Sequence, residues 1–217
     1  MFRKRPTTYL GLLQHHLGAV IFTAILFGIV AFAVSAFQPQ EFETNARLLM
    51  VPSGNLELDA YSASRAGERL GSILTAVIHS NTFLDAVLLS QISQQGGEQV
   101  QVFNDYGTNQ VRRQNKWQQR VELEISPATG ILRIAVFHDQ AAEAKKTMEA
   151  ILDTIDKSGS RYFGGQGVSI RRIDGPITSS SPVRPHVFLN TIGGIAVGFI
   201  VALGVLYLFI PTEKQHA

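Results

Sequence analysis

Two stretches of the chain run apolar without a charge, and the region between them alternates apolar with polar positions. From Leu17 to Phe37 (LGAVIFTAILFGIVAFAVSAF) 21 residues pass without a charged side chain. At 1.5 Å per residue such a helix covers roughly 30 Å, the thickness of bilayer hydrocarbon. Val187–Ile210 (VFLNTIGGIAVGFIVALGVLYLFI) has the same character, with Asn190 and Thr191 near enough to its end to reach the interface. Ala33, Ser35 and Ala36 are small residues near the end of the first run, as in a cleaved signal peptide. Its length and the second span that follows favour a transmembrane helix. The expected divisions are an N-terminal segment 1–16, a span 17–37, a soluble region 38–186, a span 187–210 and a tail 211–217.

Within 38–186 the periodicity changes several times. Glu43–Val51 (ETNARLLMV), bounded by Pro52, Ser53 and Gly54, predicts a strand. From Asp59 to His79, Ala63, Ala66, Leu70, Ile73, Leu74 and Val77 recur at helical spacing, and Asn81 is placed to cap a second helix through Leu89. Ser93–Gln119, rich in Gln, Asn and Gly, shows no period and predicts a loop with one helical turn. That loop is expected to be removable without unfolding the domain. Val121–Ser126 and Ile131–Phe137 alternate on either side of the turn Pro127–Gly130 and predict a hairpin. Asp139 is placed to cap a helix reaching Lys157, with Ala141, Ala144, Met148, Ile151, Leu152 and Ile155 on its apolar face. Val168–Ile173 is the last strand. The order strand, helix, helix, hairpin, helix, strand predicts an α+β domain, a mixed sheet with helices on one face. Between it and the second span, Pro176, Pro182 and Pro185 fall at multiples of three, with Ser179 in the vacant place. This is the period of polyproline II and predicts a stiff connector over 175–186.

Charge adds orientation. Nineteen basic and 17 acidic residues leave +2, too balanced for a nucleic-acid binder. With no cysteine, neither a disulfide framework nor a thiolate metal site is available. Arg3, Lys4 and Arg5 precede the first span, so the positive-inside rule puts the N-terminus in the cytoplasm and the main domain in the periplasm or outside the cell. Two spans return the C-terminus to the cytoplasm, the inner membrane being the expected location. Ala24 with Gly28, and Gly194 with Gly198, are small-xxx-small pairs that let helix backbones approach in lipid.

Candidate chemistry is sparse. No GxSxG, HExxH, paired-histidine or glycine-rich phosphate motif occurs, so no catalytic, cofactor-binding or metal residue is assigned and no enzyme is expected. His138–Asp139 reads as a strand end and a helix cap. Arg112, Arg113, Lys116 and Arg120 surround Trp117, a grouping of guanidinium, ammonium and indole that could meet an anionic or sugar-bearing chain, and that a protomer contact or a solvated loop explains more readily. Arg171, Arg172 and Arg184 are expected near the membrane, solvated by default and otherwise placed to meet lipid headgroups or lipid-linked phosphate.

The flanking spans, an early strand, a late hairpin, a helix opening at HDQAAEAKK and a proline-spaced run into a Gly-rich second span resemble the polysaccharide co-polymerases, the Wzz-type chain-length determinants. The similarity is strongest in Ile131–Asp139, Val168–Pro185 and the second span. It implies a homo-oligomer on the membrane that sets the length of a lipid-linked glycan in exopolysaccharide, capsule, O-antigen or lipopolysaccharide synthesis. The implied partners are a polymerase or export machinery, lipid-linked glycan and membrane lipid. The chain lacks the long helical insertion of larger members, a kinase phosphate loop and a tyrosine-rich tail. Two alternatives stay open: an adaptor activating a separate tyrosine kinase, and a two-helix sensor or receptor subunit.

Overall fold

The computed structural model describes residues 9–52, 59–94, 109–127, 129–162 and 168–208. The basic segment Arg3–Arg5, the end of the second apolar run at Ile210, the tail, the Pro52–Gly54 turn beyond Pro52 and most of the Gln/Asn/Gly-rich stretch lie outside them. Two compact units result: a pair of helices near the chain's two ends, and the domain Gln40–Val183.

The helix pair consists of α1 (Tyr9–Ala36) and α6 (Val187–Leu208). His16–Ala36 and Val187–Leu208 are long and apolar enough to cross a membrane. The helix path of α1 breaks at His16 (φ −109°, ψ 15°), so the apolar run starts from that bend. Val20, Ala24 and Ala202 are buried, while Phe22, Val30, Phe188 and Ile200 are exposed. An apolar exterior of this kind is suited to hydrocarbon and unsuited to water.

The domain is α+β. Its strands are β1 (Phe42–Pro52), β2 (Val121–Ser126), β3 (Ile131–His138) and β4 (Val168–Thr178), in the order β2-β3-β1-β4. All three neighbouring pairs are antiparallel, so the expectation of a mixed sheet is wrong. The crossover through a helix does join two strands of the same direction, β3 and β4. The early strand β1 lies between them and runs opposite to both, so no parallel ladder forms.

Alternation along the strands puts Ala46, Leu48, Met50, Leu132, Ile134, Val136 and Val121 into one core. Among the described residues, four helices complete the domain: α2 (Ala60–Ile78), α3 (Asn81–Gln94), α4 (Gln110–Arg120) and α5 (Ala141–Tyr162). Leu74, Ile78, Phe83, Leu84, Val87, Leu88, Met148, Ile151, Leu152 and Ile155 join the same core. Ile73, expected on the inner face of α2, is 40% exposed, because Leu70, Leu74, Val77 and Ile78 define the buried stripe. The α2 axis then turns by 72° into α3.

Caps fix the helix ends. Asp59 accepts the Ser62 amide at 2.6 Å, and that donation holds its carboxyl below the ordinary range. Ser80, not Asn81, caps α3, its Oγ accepting the Phe83 amide at 3.2 Å. Asp139 does not open α5 as expected: the Gln140 carbonyl takes the first helical bond, from the Ala144 amide, and the Gln140 amide donates to His138 Nδ1. Where α2 crosses the hairpin turn, Gly130 has φ +67°, and a Cβ on Gly67 would meet the Met50 carbonyl oxygen at 3.0 Å and Gly130 Cα at 3.2 Å. Glycine at both positions lets helix and turn touch backbone to backbone.

Candidate functional site

The basic cluster belongs to a helix. Arg112, Arg113, Lys116, Trp117 and Arg120 all lie on α4, where a loop was expected, and Asn109 caps it, Oδ1 accepting the Val111 and Arg112 amides. The misreading has a physical origin: Gln, Asn, Arg and Lys fill this segment except at Trp117 and Val111, so no apolar period announces a helix.

Trp117 supplies what the pattern lacks. Its indole is fully buried, and Nε1 donates to the Ile78 carbonyl at 2.7 Å, satisfying an acceptor at the end of α2. Gln114 donates to the neighbouring His79 carbonyl at 3.4 Å, and Arg113 pairs with Asp85 of α3. The inward side of α4 is therefore Arg113, Gln114 and Trp117, gripping the joint between α2 and α3. The outward side is Arg112, Asn115, Lys116, Gln118 and Gln119, all exposed. The indole expected to meet a sugar-bearing chain faces the core and has no free ring surface, and Arg113 is turned inward with it, while Arg112 and Lys116 are exposed.

The four small residues of the spans lie on the contact between the two helices, with Gly198 against Ala24. A Cβ on Gly194 would lie 2.5 Å from Ala31 Cβ and 2.9 Å from the Phe27 carbonyl oxygen. One on Gly198 would lie 2.7 Å from Phe27 Cβ and 2.9 Å from Ala24 Cα, and one on Gly28 would lie 2.5 Å from Ile195 Cγ1. Ala24, Gly28, Gly194 and Gly198 thus form the seam between α1 and α6, where small side chains let the backbones approach. Asn190 Nδ2 donates to Ser35 Oγ at 2.9 Å across that seam. Their pairing is not legible in the sequence, where Ser35 reads as part of a cleavage site and Asn190 as an interfacial residue.

The proline-spaced connector is only partly a separate segment. Pro176 lies within β4, an edge strand, where a missing N–H is tolerated. The register moves from Asn45↔Ile177 to Arg47↔Asp174, so β4 carries one extra residue around Gly175–Pro176. Ser179 and Val183 then donate their amides to the Glu43 and Glu41 carbonyls, both at 2.8 Å. Backbone pairing to the start of β1 replaces the expected polyproline II rod over this part; Pro182 falls between these two bonds.

Arg171 and Arg172 pair in register with Leu49 and Leu48, seven and six residues into β1 from Phe42. At about 3.3 Å per residue that is roughly 20 Å along the strand from the end that follows the first span in sequence. The other sheet face carries an ion-pair ladder that periodicity did not disclose: Arg47 with Asp174 at 2.5 Å, and Arg133 with Glu43 and Glu124. Beside β4, Glu149, Leu152, Asp153, Asp156, Arg172 and Pro176 line a cleft of about 260 Å³. Its charges are matched locally: Asp156 with Arg172 at 2.7 Å, Glu149 with Lys145 at 3.9 Å, and Asp153 with Lys157 at 2.7 Å and Ser90 at 2.6 Å.

The Lys157 ammonium, and after it the Ser90 hydroxyl, hold the Asp153 carboxyl below the ordinary range. A carboxylate with a depressed folded-state pKa contributes stability above its unfolded value and loses it as pH falls through the folded one. Asp153→Asn is therefore expected to lower stability near neutral pH and to flatten the loss on the acid side. Unfolding midpoints measured from about pH 6 down to pH 3 check this; parallel curves for both proteins would refute it.

No family model matches the chain, and no curated protein is significantly similar to it.

Proposed function

We propose that the chain is a membrane-anchored, non-enzymatic oligomeric scaffold that regulates the chain length, polymerisation or export of a surface polysaccharide from the inner membrane. The observation that carries the reading is the arrangement of its parts: one α+β domain inserted between two span-length helices that close on each other through Gly194 and Gly198. An early central strand, a late hairpin, the helix α5 and the strand β4 leading into a Gly-rich span are the parts on which the resemblance to chain-length determinants rests. By the positive-inside rule the domain stands in the periplasm or outside the cell, with both termini cytoplasmic.

The action would be geometric. Copies of the domain, spaced by their packing on the membrane, would hold polymerase or export machinery and lipid-linked glycan at set positions, and no bond chemistry is asked of the chain. The test is the length distribution of surface polysaccharide in cells with the gene deleted and then restored. A shifted modal length, returned by the intact chain, is the expected result. Unchanged length and amount after deletion would overturn the proposal and favour a sensor or receptor subunit.

A further inference from the structure

We infer that the α+β domain is a conformational clasp for the membrane helices: its folding promotes the pairing of α1 with α6, and their pairing in turn stabilises the domain. This goes beyond the polysaccharide reading and does not depend on it.

The inference starts from where the chain enters and leaves the domain. The first and last strands, β1 and β4, are neighbours in the sheet although residues 53–167 separate them in sequence. Their pairing continues toward both spans. The Thr44 and Thr178 hydroxyls meet at 2.9 Å, and the Glu43 amide donates to Ser179 Oγ at 3.0 Å. The Ser179 amide returns a bond to the Glu43 carbonyl, and the Val183 amide donates to the Glu41 carbonyl, both at 2.8 Å. Within the helix pair, the Asn190 carboxamide donates to Ser35 Oγ at 2.9 Å. Only five residues (36–40) lie between Ser35 and Glu41, and only six (184–189) between Val183 and Asn190.

Loop closure converts this connectivity into coupling. With the domain unfolded, Ser35 and Asn190 are the ends of a loop of 154 residues (36–189); with it folded, the path between them is the two short tethers, 11 residues in all. The entropic cost of bringing the ends of a flexible loop together rises as (3/2)RT ln n, so the shorter path favours contact by roughly fifty-fold. Lipid supplies no hydrophobic drive between helices, and the seam at Gly194 and Gly198 must be held by packing and hydrogen bonding. A folded domain that keeps the two tethers together therefore adds a term the helices cannot supply themselves. The coupling is reciprocal: whatever factor the folded domain contributes to helix pairing, pairing contributes to the domain. Had β1 and β4 stood at opposite edges of the sheet, the tethers would start apart and the device would be lost.

The test uses the full chain in lipid bilayers and reads the two units separately. Trp117, the one tryptophan and a core residue of the domain, reports its unfolding by emission. In a Ser35→Cys, Asn190→Cys chain, which has no other cysteine, the rate of disulfide formation reports helix pairing. Urea unfolds the domain while both helices stay in the bilayer, where their backbone bonds are internal. The cross-linking rate is expected to fall by about tenfold or more through the same urea transition as the Trp117 emission. An unchanged rate across that transition, or a fall at a different urea concentration, would overturn the inference. Inserting about 24 Gly/Ser residues between Pro39 and Gln40 lengthens one tether without altering either unit, and should lower the rate several-fold under native conditions while the Trp117 emission stays that of the folded domain. An insertion that leaves the rate unchanged would likewise overturn it. In the reverse direction, Gly198→Leu should lower the urea midpoint of Trp117 emission although it lies outside the domain, and Gly193→Leu should not; equal midpoints in wild type and Gly198→Leu would remove the reciprocal half.

Discussion

Trp117→Ala is expected to destabilise the domain by about 3–5 kcal/mol, the range for removing a fully buried large aromatic side chain. That is a large part of the roughly 5–15 kcal/mol by which a domain is ordinarily stable. Two losses combine: a core residue touching the joint between α2 and α3 disappears, and the Ile78 carbonyl loses the indole donor. Trp117→Phe restores most of the buried ring without the donor, so it should fall between wild type and alanine. Since this is the chain's one tryptophan, wild-type emission should be blue-shifted and should move to the red on unfolding. Circular dichroism melting compares the variants. A Trp117→Ala protein as stable as the wild type would show that α4 is not packed as described. The expectation that Ser93–Gln119 can be removed without unfolding is corrected on the same ground, because that deletion would take the indole with it.

The second large effect concerns the seam between α1 and α6. Gly198→Leu would place a branched side chain where even a Cβ lies 2.7 Å from Phe27 Cβ and 2.9 Å from Ala24 Cα, and the latter contact is with backbone that cannot rotate aside. Overpacking of this kind costs about 1–3 kcal/mol or more, enough to open the pair several-fold. Gly193→Leu is the control, since nothing lies within 4 Å of a Cβ there. The absence of cysteine makes the readout direct. A Ser35→Cys, Asn190→Cys chain joins the two positions now linked by a 2.9 Å hydrogen bond, and its disulfide should form readily in membranes. Gly198→Leu should reduce that cross-link several-fold and Gly193→Leu should leave it unchanged. Equal yields in both would remove the small-residue seam as the cause of pairing.

Both residues bear on what each level of description can decide. Glycines four apart on an apolar helix advertise close approach, but they do not say what approaches. The fold brings Gly194 and Gly198 against Phe27, Ala31 and Ala24 of the same chain. The basic cluster was equally visible in sequence, yet its meaning changed once Trp117 turned inward, dividing the group into an anchored side and a presented side.

The sequence by itself determined the two apolar runs, the α+β class, the hairpin and the buried stripe of α5. Each of these depends on periodicity, and period is a local property that neighbouring residues display together. Tertiary structure alone decided the rest: that β1 sits in the middle of an antiparallel sheet, that Pro176 belongs to an edge strand, that Ser35 answers Asn190, and that a polar segment becomes the helix α4. Each of those depends on a partner far along the chain. A strand's neighbour, an indole's acceptor and the atom facing a glycine are chosen by closing long loops around a shared core, and no short window of residues contains that information.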